Sequence, residues 1–334
     1  MDNRQTSTVV IDRREEPMMI GSKRDTKKIV AIIAFVLAIA VLVCFCTVII
    51  AEIVYKINGE PAKGPNNAAG DVRYTTSALS SDEIHRGNLI LVKEGYSYVF
   101  PSNNEHLISI YSIKSSSYRV SSDKLLIDKS IAENLNTFMD AAKEATSCSD
   151  IIVKYAYRSY SDQEELAHYD DEPDAGFSEH HTGNCIDINL YDMNDSFELT
   201  ENKALYDWLM ANAHKYGFIN RYPDEKKNIT GVDHDCESRV RTTHFTYVGY
   251  AHAYYMSQND ICLEEYLELL SANYKYDNQH LCFVGDDGNS YEIYYVRSSG
   301  AQTNVPVPEN YEYTVSGDNM NGFIVTVQLS SPAQ

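Results

Sequence analysis

The chain has 334 residues, with 28 Lys and Arg against 48 Asp and Glu and a formal net charge of −20. That length holds one domain of about 200 to 250 residues with a sizeable core, or two small ones, and excludes a mini-protein that needs covalent staples. Residues 1–28 are slightly basic, with seven Lys or Arg and five Asp or Glu, so the acidity lies in the rest, which offers no nucleic-acid surface.

In chain order the first feature is IVAIIAFVLAIAVLVCFCTVIIA, residues 29–51, without a charge. As a helix it rises roughly 34 Å, enough to cross the hydrocarbon core of a bilayer. The polar tail ahead of it marks an uncleaved anchor, not a signal peptide, and a transmembrane helix is expected over 29–54. Lys23, Arg24, Lys27 and Lys28 precede the span, against Glu52 and Lys56 after it. This bias keeps the 1–28 tail cytoplasmic and the main domain extracellular, a single-pass protein of the cell membrane. Residues 55–87 are rich in Gly, Pro, Asn, Ala and Ser without hydrophobic periodicity, and read as a flexible stalk.

Folded structure is expected from Asn88. NLILVKEGYSYVF has β composition, and SIAENLNTFMDAAKEA places Ile131, Leu135, Phe138, Met139 and Ala142 on one helical face, with Ser130 as N-cap. DIIVKYAYRSY reads as a buried strand that delivers Arg158 at its end, and SDQEELAHY as a helix capped by Ser161. In CIDINL, the period of two puts Ile186, Ile188 and Leu190 on one face and Asp187 on the other. A helix burying Leu205, Trp208 and Leu209 stops at Gly217, and a further strand and helices close the main domain, 88–274. Residues 275–334 read as a small all-β segment. The fold class is α+β, an antiparallel sheet with packed helices.

Of seven cysteines, Cys44 and Cys46 lie in the span, leaving Cys148, Cys185, Cys236, Cys262 and Cys282. Five widely spaced thiols indicate neither a disulfide framework nor a cysteine zinc site; Cys262 with Cys282 is the one candidate bridge. His180 and Asp187 flank a glycine-containing turn, and an imidazole with a carboxylate suits Zn2+. His244, at the start of a strand-like stretch, would complete two histidines and one aspartate with a fourth position open; spacing alone does not choose it over His234 or His252. His252 reads as a hydrogen-bonded structural residue, with a hydrogen bond that orients one of the metal ligands as the alternative.

The motifs YRSYSDQ, SEHHTGNCIDI, WLMANAHKYGFINRYP, KKNITG and HFTYVGYAHA, in that order, resemble VanY-type D-alanyl-D-alanine carboxypeptidases. These are zinc peptidases of the fold shared with hedgehog signalling domains, and the likeness spans 88–274. It implies His180, Asp187 and His244 as zinc ligands, with His181 outside the set. It also implies Arg158 as the grip on the substrate's terminal carboxylate, a role suited to a guanidinium fork, with Gln163 and Ser178 lining the pocket. The C-terminal β segment looks like an extension of some membrane-anchored members from Gram-positive bacteria.

The segment around His244 departs from the family. Where a glutamate in a Glu-Pro-Trp-His arrangement moves the proton, this chain has Arg241, followed by Thr242 and Thr243, and Thr246 replaces an arginine-like position after the last histidine. A guanidinium stays protonated and is no general base, so the catalytic base is unassigned. The preceding loop carries Asp233, Asp235 and Glu237, of which Glu237 is the foremost substitute. The expected function is a zinc-dependent peptidase acting on peptidoglycan stem peptides. The alternative is a catalytically impaired, zinc-bearing module that binds wall peptides as a sensor or scaffold.

Overall fold

The computed structural model describes residues 72–166, 172–192, 195–197, 199–231 and 243–332. The apolar run 29–51 and the loop with Asp233, His234, Asp235, Glu237, Arg241 and Thr242 lie outside the described residues. Among the described residues no helix is long and apolar enough to cross a membrane.

Strands β1 (Tyr74–Ser80), β2 (Leu107–Ser109), β3 (Arg119–Val120) and β4 (Leu126–Asp128) lead to helix α1 (Ala132–Thr146). Leu135, Phe138, Met139 and Ala142 are buried along one stripe of α1, and Ile131 joins them in the core. The cap differs from the expectation on Ser130. The chain enters through a 3-10 turn, so the orphan N–H is that of Ser130 itself, and it donates to the Asp128 carboxylate at 2.8 Å.

β5 (Ile151–Tyr155) is buried at Ile151, Ile152 and Val153 and brings the chain to Arg158. α2 (Tyr160–Leu166) starts one residue before Ser161, which therefore cannot cap it. Ser159 does: Asp162 N–H donates to its hydroxyl at 3.2 Å, and Ser159 N–H donates back to the Asp162 carboxylate at 3.1 Å.

β6 (Cys185–Asp192), β7 (Asp195–Phe197), β8 (Phe218–Asn220) and β9 (His244–Tyr247) complete a six-stranded sheet of order β3-β5-β6-β9-β8, with β7 on β6. Its pairs are antiparallel except β3 with β5, which corrects the all-antiparallel expectation. The chain between those two strands includes α1, a crossover long enough for parallel pairing. α3 (Lys203–Asn212) adds Leu205 and Leu209 to the core beside α1, with Trp208 partly buried. A short turn continues α3 and ends at Gly217, φ 81°, where a Cβ would lie 2.6 Å from the Tyr247 ring.

α4 (Tyr250–Asn259) and α5 (Leu263–Asn273) pack with the C-terminal strands in a second core. Those strands are β10 (Leu281–Val284), β11 (Ser290–Arg297), β12 (Gln302–Pro308), β13 (Tyr311–Gly317) and β14 (Gly322–Pro332). Four form a sheet of order β10-β11-β14-β13, while β12 pairs antiparallel with β1, Tyr74 opposite Pro308. Residues 74–80 thus belong to the folded body, although the sequence reading placed them in the stalk. YTTSALS is mostly polar and exposed, so its strand state comes from its partner and not from an apolar pattern. Cys148, Cys185, Cys262 and Cys282 are free thiols, so the candidate bridge is not formed; Cys262 precedes α5, and Cys282 lies on β10 opposite Glu292.

His252 has the structural role expected of it. Its Nδ1 lies 2.7 Å from the Tyr266 hydroxyl and its Nε2 2.8 Å from that of Thr326, tying α4 to α5 and β14. Burial pushes its pKa down to about 3. The unfolded chain takes up this proton near pH 6.5 and the folded chain resists it until about pH 3, so this group's contribution to stability is lost as pH falls through that window. His252→Gln is expected to unfold more easily at pH 7 and to lose less stability between pH 7 and pH 5 than the wild type. Urea unfolding at the two pH values reads this, and equal losses in both proteins would refute it.

Candidate metal centre and active site

The β6–β9 register sets Asp187 directly opposite His244. His180 comes from the 3-10 turn Glu179–Thr182 that precedes β6, and Gly183 ends that turn at φ 74°. A Cβ at Gly183 would sit 2.9 Å from the Leu107 side chain and 3.0 Å from Asp128 N, so glycine both permits the turn and lets it press against β4. His180 Nε2 lies 3.2 Å from Asp187 Oδ2, and His244 Nδ1 lies 2.8 Å from Asp187 Oδ1. Donors about 2 Å from a tetrahedral metal stand roughly 3.3 Å apart, so each imidazole nitrogen is near donor spacing from one Asp187 oxygen.

The rest of each ring is committed elsewhere. His180 Nδ1 sits 2.6 Å from the Ala156 carbonyl, which can only accept, so the proton is on Nδ1 and Nε2 faces the aspartate. His244 Nε2 lies 3.1 Å from Glu179 Oε2, which by the same reasoning turns Nδ1 inward. Carboxylate and carbonyl partners of this kind orient metal-binding imidazoles. Asp187 is fully buried and its Oδ2 has no hydrogen bond, although His180 is within ion-pair range; the two groups are close without being aligned. Burial opposes ionisation of Asp187, yet the two imidazoles outweigh it and hold the carboxyl below its usual range. Against the same burial, the neighbouring thiol and carboxylate raise His180 to about 9. A fully buried carboxylate with one orphaned oxygen, facing an imidazole nitrogen from each side, fits Zn2+.

Cys185 enters as an unexpected neighbour. One donor atom each of His180, Cys185 and His244 lie within 4.8 Å of one another. Its sulfur is 3.5 Å from His180 Nδ1, the nitrogen already bonded to Ala156, so the thiol borders the ring away from the Nε2 edge. His181, expected outside the ligand set, has both ring nitrogens engaged: its Nδ1 is 2.8 Å from the Arg158 carbonyl and its Nε2 accepts from Gly176 N–H at 3.0 Å.

A cavity of about 450 Å³ opens on the triad, and Arg158, Ser178 and Tyr222 line it with His180, Asp187 and His244. Arg158 N–H donates to the His180 carbonyl at 3.1 Å, which locks the end of the β5 segment to the metal-site turn. Gln163 is fully buried, and its amide oxygen accepts from Arg158 Nη1 at 3.1 Å. Ser178 is buried just before the turn and makes no side-chain cap bond. Five of the six expected site residues thus line one cavity, and Gln163 is bonded to one of them, Arg158.

The family model described as "VanY: D-alanyl-D-alanine carboxypeptidase" matches residues 124–250. The chain is 32% identical over 196 residues to putative carboxypeptidase YodJ of Bacillus subtilis (strain 168), covering 54% of this chain and 67% of that protein. The chain belongs to the VanY family. A D-alanyl-D-alanine carboxypeptidase of Enterococcus faecium is 27% identical over 274 residues, 80% of this chain and 84% of that one. The solved structure of the vancomycin-resistance D,D-dipeptidase VanXYg with a D-Ala-D-Ala phosphinate analogue superposes with a TM-score of 0.66 at 28% identity. It covers 77% of this chain and 99% of its own.

Behind His180 and His244 of this VanY-type domain lies a charged network that the sequence reading missed. Arg221, fully buried, donates Nε to Glu179 Oε1 at 2.6 Å and both terminal nitrogens to Glu264 at 2.9 Å. Thr246 donates to Glu179 Oε2 at 2.6 Å. Burial raises the pKa of Glu179, but Arg221 and His244 bring it down to about 2, so it stays ionised beneath the site. The signals were present: Glu179 adjoins a candidate ligand, and Thr246 shares the face of His244 two residues along a strand. Pairing Glu179 with Arg221 and with Thr246 needs contacts across 42 and 67 residues.

Proposed function

We propose that this VanY-family domain is a zinc-dependent D,D-carboxypeptidase that removes the terminal D-alanine from peptidoglycan stem peptides, held outside the cell by an anchor over 29–54. The carrying observation is that the His180–Asp187–His244 set and Arg158 line the same cavity. Its size suits the end of a peptide more than a folded partner. Arg158, oriented by Gln163, presents a planar fork to the terminal carboxylate and so fixes which amide lies over the metal site. Zn2+, when bound by His180, Asp187 and His244, supplies Lewis acidity toward the scissile carbonyl and toward water. Glu179 holds His244 in the tautomer that leaves Nδ1 facing Asp187.

The proton-moving group is the open role, because Arg241 stands where a family glutamate is expected, and we assign the role to Glu237 of the same loop. The expected result for the full chain is one zinc per molecule and release of D-alanine from a pentapeptide ending in D-Ala-D-Ala. Glu237→Gln should slow release by roughly 10² to 10⁴, the usual worth of general acid–base help. An unchanged rate removes Glu237 from the mechanism. Full zinc and saturable peptide binding with no D-alanine released would favour the second reading, a wall-peptide binding module, which Arg241 at the base position supports.

A further inference from the structure

The carboxylate clamp already has an occupant. Arg158 Nη1 donates to Glu172 Oε2 at 2.9 Å, and Gln163 Nε2 donates to the same oxygen at 3.3 Å. One carboxylate of the chain itself thus takes hydrogen bonds from the side chain assigned to the carboxylate of the substrate and from the one that orients it. Glu172 and the neighbouring Pro173 and Asp174 line the cavity together with the metal triad. The Arg158 and Glu172 side chains are 8% and 21% exposed, so the pair sits at the cavity wall, shielded but reachable.

Glu172 differs in this from Glu179, the other paired glutamate of the site. Glu179 is held by Arg221, Thr246 and His244 and is only 4% exposed, so nothing entering the cavity can take its place. Among the described residues the Glu172 carboxylate has hydrogen bonds from Arg158 and Gln163 alone. A second carboxylate brought to the same guanidinium edge meets like charge at short range, where repulsion in a part-buried site is strong. Exchange avoids that crowding: one carboxylate leaves as the other arrives, and the number of charge-assisted bonds to Arg158 is kept.

We propose that Glu172 is an internal competitor for the clamp, displaced from Arg158 and Gln163 by the terminal carboxylate of an incoming peptide, and that it thereby sets specificity for a free C-terminus. A ligand without that charge cannot make the exchange, since it would leave Arg158 with a weaker partner than Glu172. The inference deepens the function proposed above and rests on the clamp role of Arg158.

The test is equilibrium binding of the zinc-loaded full chain to a non-cleavable analogue of acetyl-Lys-D-Ala-D-Ala, as the free acid and as the C-terminal amide. Glu172→Gln keeps the shape and removes the charge. It should tighten binding of the acid about tenfold, the scale of one charge-assisted hydrogen bond, and leave the amide unchanged. Glu172→Ala should move the acid in the same direction. Unchanged or weaker binding of the acid in both variants overturns the competitor role and makes Glu172 a prop for the clamp. Arg158→Lys keeps charge without the fork and separates the two ideas. If it leaves the affinity of the acid intact, the clamp reading itself fails. If it weakens the acid while neither Glu172 variant tightens it, only the competitor fails.

Discussion

Asp187→Ala is expected to leave the domain folded and to lower its zinc affinity by at least about 100-fold, with D-alanine release lost in step. The figure is a floor, because replacing a group that merely orients a ligand already costs about 10- to 100-fold. Asp187 faces both histidines at 3.2 and 2.8 Å and is the single carboxylate that neutralises part of the ion's charge within the triad. Its removal also leaves Cys185 as the remaining group that, with Asp187, draws protons onto the imidazoles. Zinc content after gel filtration reads the loss directly. An independent reading is the thermal midpoint with and without added zinc. A ligand at 100 times its dissociation constant stabilises by about 2.7 kcal/mol, so the wild type should shift upward and Asp187→Ala should not. His181→Gln is the matched control, one residue from His180 and expected to keep its metal. Equal zinc in wild type and Asp187→Ala would dismantle the assignment.

Arg221→Met carries the largest expected effect on stability, a loss of roughly 3 to 5 kcal/mol. Arg221 has no exposed surface and neutralises Glu179 at 2.6 Å and Glu264 at 2.9 Å, so methionine fills the space and strands two carboxylates. Lys93, 3.5 Å from Glu264, and His244, 3.1 Å from Glu179, compensate them only in part. Urea unfolding at neutral pH measures the loss. Combining Arg221→Met with Glu179→Gln should recover part of it, because the second change removes one stranded charge. Glu179→Gln alone should act mainly on the metal, weakening zinc about 10- to 100-fold through a looser His244. A loss below about 1 kcal/mol in Arg221→Met would mean that the network is hydrated and contributes no more than a surface pair.

These two sites also mark where sequence reasoning reached and where it stopped. The helical stripe of α1 and the alternation Ile186–Asp187–Ile188 were legible because they are local periods, and burial follows them: Leu135, Phe138, Met139, Ile186 and Ile188 are all in the main core. Asp187 was placed correctly on the face away from its isoleucine neighbours, and Arg158 at a strand end, by the same rule. The caps went wrong by a residue or two, at Ser130 and Ser161, since Asp128 and Ser159 compete for the same orphan N–H groups.

What residue order determined by itself was therefore the kind of site: an imidazole and a carboxylate at a glycine turn, an arginine at the end of a buried strand, and motifs whose order marks the family. Tertiary structure set His244 beside Asp187, because only the β6–β9 register brings the two together across 57 residues. It also decided that β1 is a strand, since that polar segment is ordered by β12, 222 or more residues away in sequence. The pairing of Glu179 with Arg221 and of Glu172 with Arg158 belongs to the same class. A charge in a sequence declares what it can bond but not to whom, and distant partners are chosen only when packing removes the water that would otherwise satisfy them.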